Sequence, residues 1–437
     1  MSGASPSAVD HATDIAYRVI LSSGKISKPI DISVMVTDID IFEHIEKPYL
    51  TGVVGFLDST DVLGSTDFGG GEKLEITLSS DQIDGATIVK TFYIDTIMSS
   101  VKGNDSNEYI IFHIIEDIGY ESNLRNVNKS YTGKASKILA SICSEYFEKK
   151  KCLSTANDSH EMKVIVPNLT PLDAMCWIKN KTTTEDGYPF YLFSALQVKD
   201  LVFMDLESLM KAAPSNRNAP FTYAQADVGD VDIDHSQKRR TILSYSYSKT
   251  ENLFNLIAAG HIGARHQFFD VTENYMTPIK FDVTKDVIGK LESSNIVKDK
   301  PLYSNEYRLR GISFNDIESR VTSQIGGTSA YENHKTFSER DTEGKYRLDV
   351  AGRSMSALIK KSPLSFVING IDFFKEGSHN TLGRKLRLRF LSNSENEDNP
   401  FDTQKSGDYL IFSAKHSIKK EGYHISLTGV KLDNGEV

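Results

Sequence analysis

The sequence predicts a mainly β protein with α+β insertions, organised as two antiparallel β-barrels plus two further domains. Three observations carry that expectation. Period-two apolar runs fill residues 15 to 118, helical periodicities open near residue 132, and the barrel pattern returns towards the end. At 437 residues the chain exceeds one ordinary compact core, which also calls for several domains.

The first region reads "AYRVILS", "DISVMV", "GVVGFLD", "KLEITLS", "IVKTFYIDTIMS" and "EYIIFHII", with Gly, Asp and Ser turns between the runs. Alternation of this kind buries one face of each strand and suits an antiparallel barrel or sandwich; residues 1–118 are taken as the first barrel. Residues 119–210 change character. Ala135, Ile138, Leu139, Ile142, Cys143, Tyr146 and Phe147 recur at helical spacing behind Thr132 as the expected cap. In "LTPLDAMCWI", Thr170 is the expected N-cap of a second helix, with Pro171 at its first position and Asp173 in its first turn. Two strands and a short helix follow, giving an α+β unit.

The rest reads as a second copy of the barrel. A shift of 212 positions sets Phe42 on Phe254, Ile45 on Ile257, Leu50 on Ile262, Phe56 on Phe268 and Asp58 on Asp270 without a gap. A shift of 312 sets Gly71 on Gly383, Lys73 on Lys385, Leu74 on Leu386 and Ile76 on Leu388. The expected second barrel is therefore split, residues 211–270 and 351–437, around an inserted domain at 271–350. Chance similarity between two β-domains is the alternative. Polar stretches at 211–240, 320–345 and 392–400 read as linkers or surface loops.

Composition bounds the chemistry. A net charge of −9 argues against broad nucleic-acid wrapping, which needs a positive surface. The N-terminus "MSGASPSAVDHATD" lacks the basic start and apolar run of a signal peptide, and no segment is apolar enough to span a membrane. Cys143, Cys152 and Cys176 have no metal-site or disulfide spacing and read as core thiols.

"GHIGARHQFFD" holds His261 and His266, but a separation of five points two strand residues to opposite faces, so they do not suit one metal. "GGGEK" lacks the GxxxxGK[ST] pattern and a following helix, and reads as a turn. "QKRR" at 237–240 and "EKKK" at 148–151 are short basic runs, the second suited to a helix C-terminus. No carboxylate pair or nucleophile elbow stands out, so no catalytic, cofactor-binding or metal residue is assigned, and no cofactor is expected. "TLGRKLRLRFL" puts Lys385, Arg387 and Arg389 on one strand face, and Glu75 occupies the position of Arg387 in the first copy. These four are the candidate interface residues.

Several segments, in order along nearly the whole chain, resemble the central baseplate hub proteins of contractile-tailed bacteriophages. They are "KPYLTGVVGFLDSTDVLG", "GGEKLEITL", "GKASKILASICSEYF", "LTPLDAMCWI", "NLFNLIAAG" and "SGDYLIFSAKHSIKKEGYHISLTGVKL". The resemblance implies a non-enzymatic virion protein with two tail-tube-like barrels. It implies a homotrimer whose six barrels adapt a threefold cell-puncturing spike to a sixfold tail tube, around a channel for genome ejection. Implied partners are the spike, the tube or tube-initiator proteins and neighbouring baseplate wedge proteins. DNA would pass without specific binding, no membrane is involved, and assembly would occur in the bacterial cytoplasm. The competing expectations are a hub of another contractile injection system, whose spike proteins commonly continue into a β-helix where this chain reaches Val437, and a tail-associated cell-wall or polysaccharide hydrolase.

Overall fold

The computed structural model describes residues 15–431, apart from 81–85, 224–239, 248–252, 271–273, 297–307, 327–342, 375–380, 393–400 and a few shorter stretches. The run 237–239 and much of the expected loops at 320–345 and 392–400 lie outside the described residues. Seven strands build the first barrel: β1 (Ala16–Ser22), β2 (Ile30–Asp31), β3 (Val36–His44), β4 (Thr51–Asp58), β5 (Lys73–Ser80), β6 (Ala86–Asn104) and β7 (Asn107–Glu116). Their order is β2-β1-β5-β6-β7-β4-β3, antiparallel throughout. The period-two pattern decides which face goes in: Leu74, Ile76, Leu78, Ile110, Phe112 and Ile114 are buried, and Phe56 meets Phe112 at 4.9 Å between ring centroids. Each such side chain contributes about 1.5–3 kcal/mol by leaving water.

The α+β unit follows with β8 (Ser130–Lys134), β9 (Cys152–Ser154), β10 (Glu161–Ile165), β11 (Phe190–Phe193) and β12 (Leu201–Asp205). Its first helix, Ala135–Tyr146, buries Ala135, Ile138, Leu139, Ile142 and Cys143 as the spacing predicts. The cap differs. Thr132 lies in β8 opposite Lys163, and the amide of Ser136 donates instead to Asp158 Oδ2 at 2.9 Å. Strand pairing takes the residues before the helix, and a distant carboxylate replaces the local cap. Thr170 does cap the helix Pro171–Lys179, accepting from the amide of Asp173 at 3.3 Å. Cys143 is buried and Cys152 and Cys176 are half-buried; all three are free, and burial raises their thiol pKa values.

Next come β13 (Phe221–Tyr223) and β14 (Ser244–Tyr247), then β15 (Gly263–Asp270), β16 (Tyr275–Asp282), β17 (Arg308–Leu309), β18 (Ile312–Ser313), β19 (Val321–Gly326) and the helix Glu343–Ile359. The chain closes with β20 (Leu364–Asn369), β21 (Lys385–Phe390), β22 (Gly407–Lys419) and β23 (Gly422–Val430). The order β14-β20-β23-β22-β21 repeats β3-β4-β7-β6-β5 strand for strand. A shared irregularity fixes the equivalence, because the pairing shifts at Ile94/Thr96 in β6 and at Ile411/Ser413 in β22. Across the strands, the row Ile94, Ile114, Gly52, Ile41 then matches the row Ile411, Gly429, Leu364, Tyr247.

This corrects the 212-position shift. That shift sets Gly263–Asp270 on β4, but β15 pairs with β16 and β19 in a separate three-stranded sheet, and β20 stands where β4 stands. Gly263–Asp270 therefore pairs with strands of the inserted segment, not with the second barrel. Register is set by partners distant in sequence, so a short ungapped match does not determine it. The 312-position shift agrees with the strand rows, since Lys385 faces Leu410 as Lys73 faces Tyr93.

A buried ionic cluster fastens the α+β unit to the first barrel. Glu116, at the end of β7, accepts from Lys90 Nζ at 3.3 Å, from Lys150 Nζ at 2.8 Å and from the amide of Leu50 at 2.9 Å. Lys90 Nζ also donates to the carbonyls of Ala195 and Val198. Lys150, read from "EKKK" as part of a basic run at a helix end, turns inward past that end. Burial pushes the Glu116 pKa up, but Lys90 and Lys150 outweigh it and hold it down to about 2, from 4.5. A carboxyl lowered by folding stabilises the native state above its unfolded pKa. Stability is therefore expected to fall as pH drops from about 4.5 towards 2. Glu116→Ala strands two ammonium groups and should cost about 3–5 kcal/mol, read as a lowered urea midpoint at pH 7; Lys90→Met combined with Glu116→Gln should cost less.

Candidate assembly interface

The two barrels are joined edge to edge. β22 spans 13 residues; its first four-residue stretch pairs with β21, and Ser413–Lys419 leaves β21 to pair antiparallel with Asp38–His44 of β3. The result is one 13-stranded sheet running through both barrels. Because side chains alternate, the seam has two chemistries. On its outer face Lys415 Nζ lies 2.8 Å from Asp40 Oδ2, and Ser417 donates to Asp40. On its inner face Glu43, His416 and Tyr423 form a buried chain: Glu43 Oε1 is 3.0 Å from His416 Nε2, and His416 Nδ1 is 2.6 Å from the Tyr423 hydroxyl. Glu43 Oε1 also accepts from the amide of Leu196 at 2.6 Å, tying the α+β unit to the same seam. Burial drives the Tyr423 pKa far upward, so the phenol stays protonated. The carboxylate, imidazole and hydroxyl are of the types used in acid–base chemistry, yet His416 has 0% exposure and the chain serves as a joint.

The four expected interface residues sit on the barrel exteriors. Glu75 faces outward on β5 between Ile20 and Thr91. On β21, Leu386, Leu388 and Phe390 are buried while Lys385, Arg387 and Arg389 alternate with them on the half-exposed face. Arg387 makes a bidentate pair with Asp408 at 2.7 and 3.0 Å, so its charge is met inside its own barrel, at the position where the first copy has Thr91. Arg389 lies over the ring of Phe401, 5.0 Å from its centroid. Lys360 follows the helix Glu343–Ile359 and pairs with Glu46.

His261 precedes β15 and His266 lies on it, bonded to Thr322 and 3.3 Å from the Tyr346 hydroxyl. Burial, then the charges of Arg353 and Arg320, lower both imidazole pKa values. His261 lines a cleft of about 350 Å³ with Glu46, Lys179, Tyr191, Asp349 and Arg353, between the α+β unit and the helix Glu343–Ile359. Among the described residues no group of three or more His, Cys, Asp or Glu could hold a metal ion. In "GGGEK", where Gly70 lies outside the described residues, Gly71 has φ +89°, Glu72 accepts from the amide of Gly69, and Lys73 opens a strand and not a helix.

The two faces of the seam should respond differently to truncation. Glu43→Ala leaves the Leu196 amide buried without its acceptor and removes the carboxylate beside His416, and should cost about 2–3 kcal/mol. Asp40→Ala removes a partly exposed pair and should cost about 0–1 kcal/mol. Urea unfolding of the two variants, side by side, reads the difference.

No family model matches the chain, and no curated protein matches it. Solved structures do. A tail protein from Neisseria meningitidis MC58 aligns with TM-score 0.54 at 11% identity, over 95% of this chain and 96% of that one. The 43 kDa tail protein of prophage MuSo2 from Shewanella oneidensis aligns with TM-score 0.50 at 11% identity, over 95% of this chain and 98% of that one. The agreement runs end to end in both directions. Barrels, α+β unit and insert together therefore have the mainly β fold of phage tail proteins.

Proposed function

We propose that this chain is the structural hub subunit of a contractile phage tail baseplate, acting by assembly and not by catalysis. The observation that carries the reading is the repeated strand order: one chain holds two copies of the same barrel, joined side by side. Three such chains around a threefold axis present six barrels, the number needed to match a sixfold tube to a threefold spike. Closed cyclic symmetry of this kind is common among homo-oligomers. In this reading the α+β unit and the insert grip the spike, and the barrels meet the tube or its initiator. Lys385 and Arg389 remain candidates for contacts to acidic partner surfaces. The channel passes genome without binding it, in keeping with a net charge of −9.

The test is the mass in solution. Size-exclusion chromatography with light scattering should give three times the chain mass, and the purified protein should release no soluble product from cell-wall or polysaccharide substrates. A stable monomer would sink the hub reading, and hydrolytic activity would favour the hydrolase in its place.

A further inference from the structure

We propose that the outer edge of β6 past Tyr93 pairs with the outer edge of β14 in a second copy of this chain, with Val101 opposite Ser246. The proposal rests on the trimer reading above and specifies the contact that closes it.

The seam inside the chain joins unlike edges: β22 of the second barrel meets β3 of the first. It also keeps the barrels pointing the same way. Lys419, beside the β22–β23 hairpin, faces Asp38, which lies at the end of β3 nearest the β6–β7 hairpin. A joint between unlike edges with matched polarity is heterologous and leaves one edge of each kind unused. The unused edges are the counterparts of the pair already made. β6 is the counterpart of β22: β5 accompanies it only from Ala86 to Tyr93, and beyond that β7 is its sole strand neighbour among the described residues. β14 is the counterpart of β3, and among the described residues β20 is its sole strand neighbour.

The surface of β6 agrees. Ile97, Met98 and Val101 are 37%, 60% and 56% exposed, an apolar run on an unpaired edge. In β22 the stretch after the shared irregularity is covered by β3: Ala414, the counterpart of Ile97, is 4% exposed, and Ser417, the counterpart of Val101, is half-buried. An open edge bearing apolar side chains invites another strand.

Register follows from the strand rows. Ile114 matches Gly429, so four residues along Ile110 matches Ile425. Ser100 faces Ile110 and His416 faces Ile425, which makes Ser100 the counterpart of His416 and Val101 that of Ser417. A further irregularity between Ile97 and Ser99 is absorbed in this count. Ile41 matches Tyr247, so Asp40 matches Ser246. In the seam Ser417 faces Asp40 and donates a hydrogen bond to it. Val101 should therefore face Ser246 of the neighbouring copy on the outer face.

Disulfide trapping tests this. Facing β residues have Cβ atoms about 4.5–5.5 Å apart, near enough for a disulfide with slight adjustment. The variant carrying both Val101→Cys and Ser246→Cys, oxidised and run on non-reducing gels, should give covalent dimer and trimer as the main bands and nothing larger. Each single variant and the parent with its three native cysteines should stay monomeric on the same gel. The pair Ser100→Cys with Ser246→Cys slips the register by one and puts the thiols on opposite faces, so it should not link. Linking there in preference to Val101 overturns the register. A trimer by light scattering that links at neither pair overturns this contact and leaves the hub reading standing, whereas a monomer sinks both. Hydrogen exchange on the unmodified trimer provides a check independent of mutation: amides of residues 99–102 and 244–247 should exchange more slowly than in diluted monomer, and equal rates count against the pairing.

Discussion

The constraint on which the rest of the molecule depends is the departure of β22 from β21 after Ile411. A barrel strand that stayed with its own neighbours along its whole length would give two separate barrels on a tether. The irregularity at Ile411/Ser413 redirects it, and the backbone groups of the next seven residues meet β3 instead. A bulge bends and re-aims a strand in this way. Everything that fixes the relative position of the barrels then follows, because antiparallel pairing sets spacing, direction and register together. Glu43 extends the effect: on β3 its carboxylate lies 3.0 Å from His416 of β22 and accepts from the Leu196 amide of the α+β unit, so three parts of the chain converge on one buried group.

Three sets of buried polar side chains lie at joints. Glu116 with Lys90 and Lys150 fastens the first barrel to the α+β unit, Glu43 with His416 lies on the seam, and Gln197 reaches the carbonyl of Phe373 and the hydroxyl of Thr381 in the second barrel. Clustered carboxylate, imidazole and ammonium groups can mark active sites, but the inference needs a cleft that admits substrate. Glu116, Glu43 and His416 are at most 3% exposed. Their cost of desolvation is offset only when each partner is in place, which makes them selective for one arrangement of domains.

Local features of this fold were legible in the sequence, and long-range ones were legible only in part. The period-two runs located the strands of the first barrel, the apolar spacing from Ala135 located a helix, and Thr170 with Pro171 located the start of another, because each is decided by residues close in sequence. Thr132 misled because β10 claims it as a strand partner, and Asp158, 22 residues beyond Ser136, takes over the capping. The second copy of the barrel was visible through "GRKLRLRF", where strand alternation and a lysine recur together. It was misplaced at "GHIGARHQFFD" because a turn, a strand and a terminal Phe and Asp suit many β-hairpins. Glu43 and Glu116 gave no signal, since a single carboxylate in a strand is silent until its partners arrive from elsewhere in the chain.

The two ends of the joined barrels are unlike, and the chain's insertions make them so. The α+β unit leaves after Glu116, and the insert leaves between β14 and β20, the connection that corresponds to the short β3–β4 turn. Both departures fall at the end away from the β6–β7 and β22–β23 hairpins. There the two units meet: the Tyr188 hydroxyl bonds Ser294 at 2.9 Å and Lys290 Nζ donates to the Asp186 carbonyl at 2.7 Å. Lys360, just before β20, reaches back to Glu46 in the β3–β4 turn and binds the insert to the first barrel. The opposite end carries the two hairpins, and no domain is inserted there between described strands. A body with a built-up end and a plain end has a polarity, and side-by-side barrels of matched direction preserve it. The hub role proposed above requires that property, because one end must differ from the other for two dissimilar partners to be kept apart.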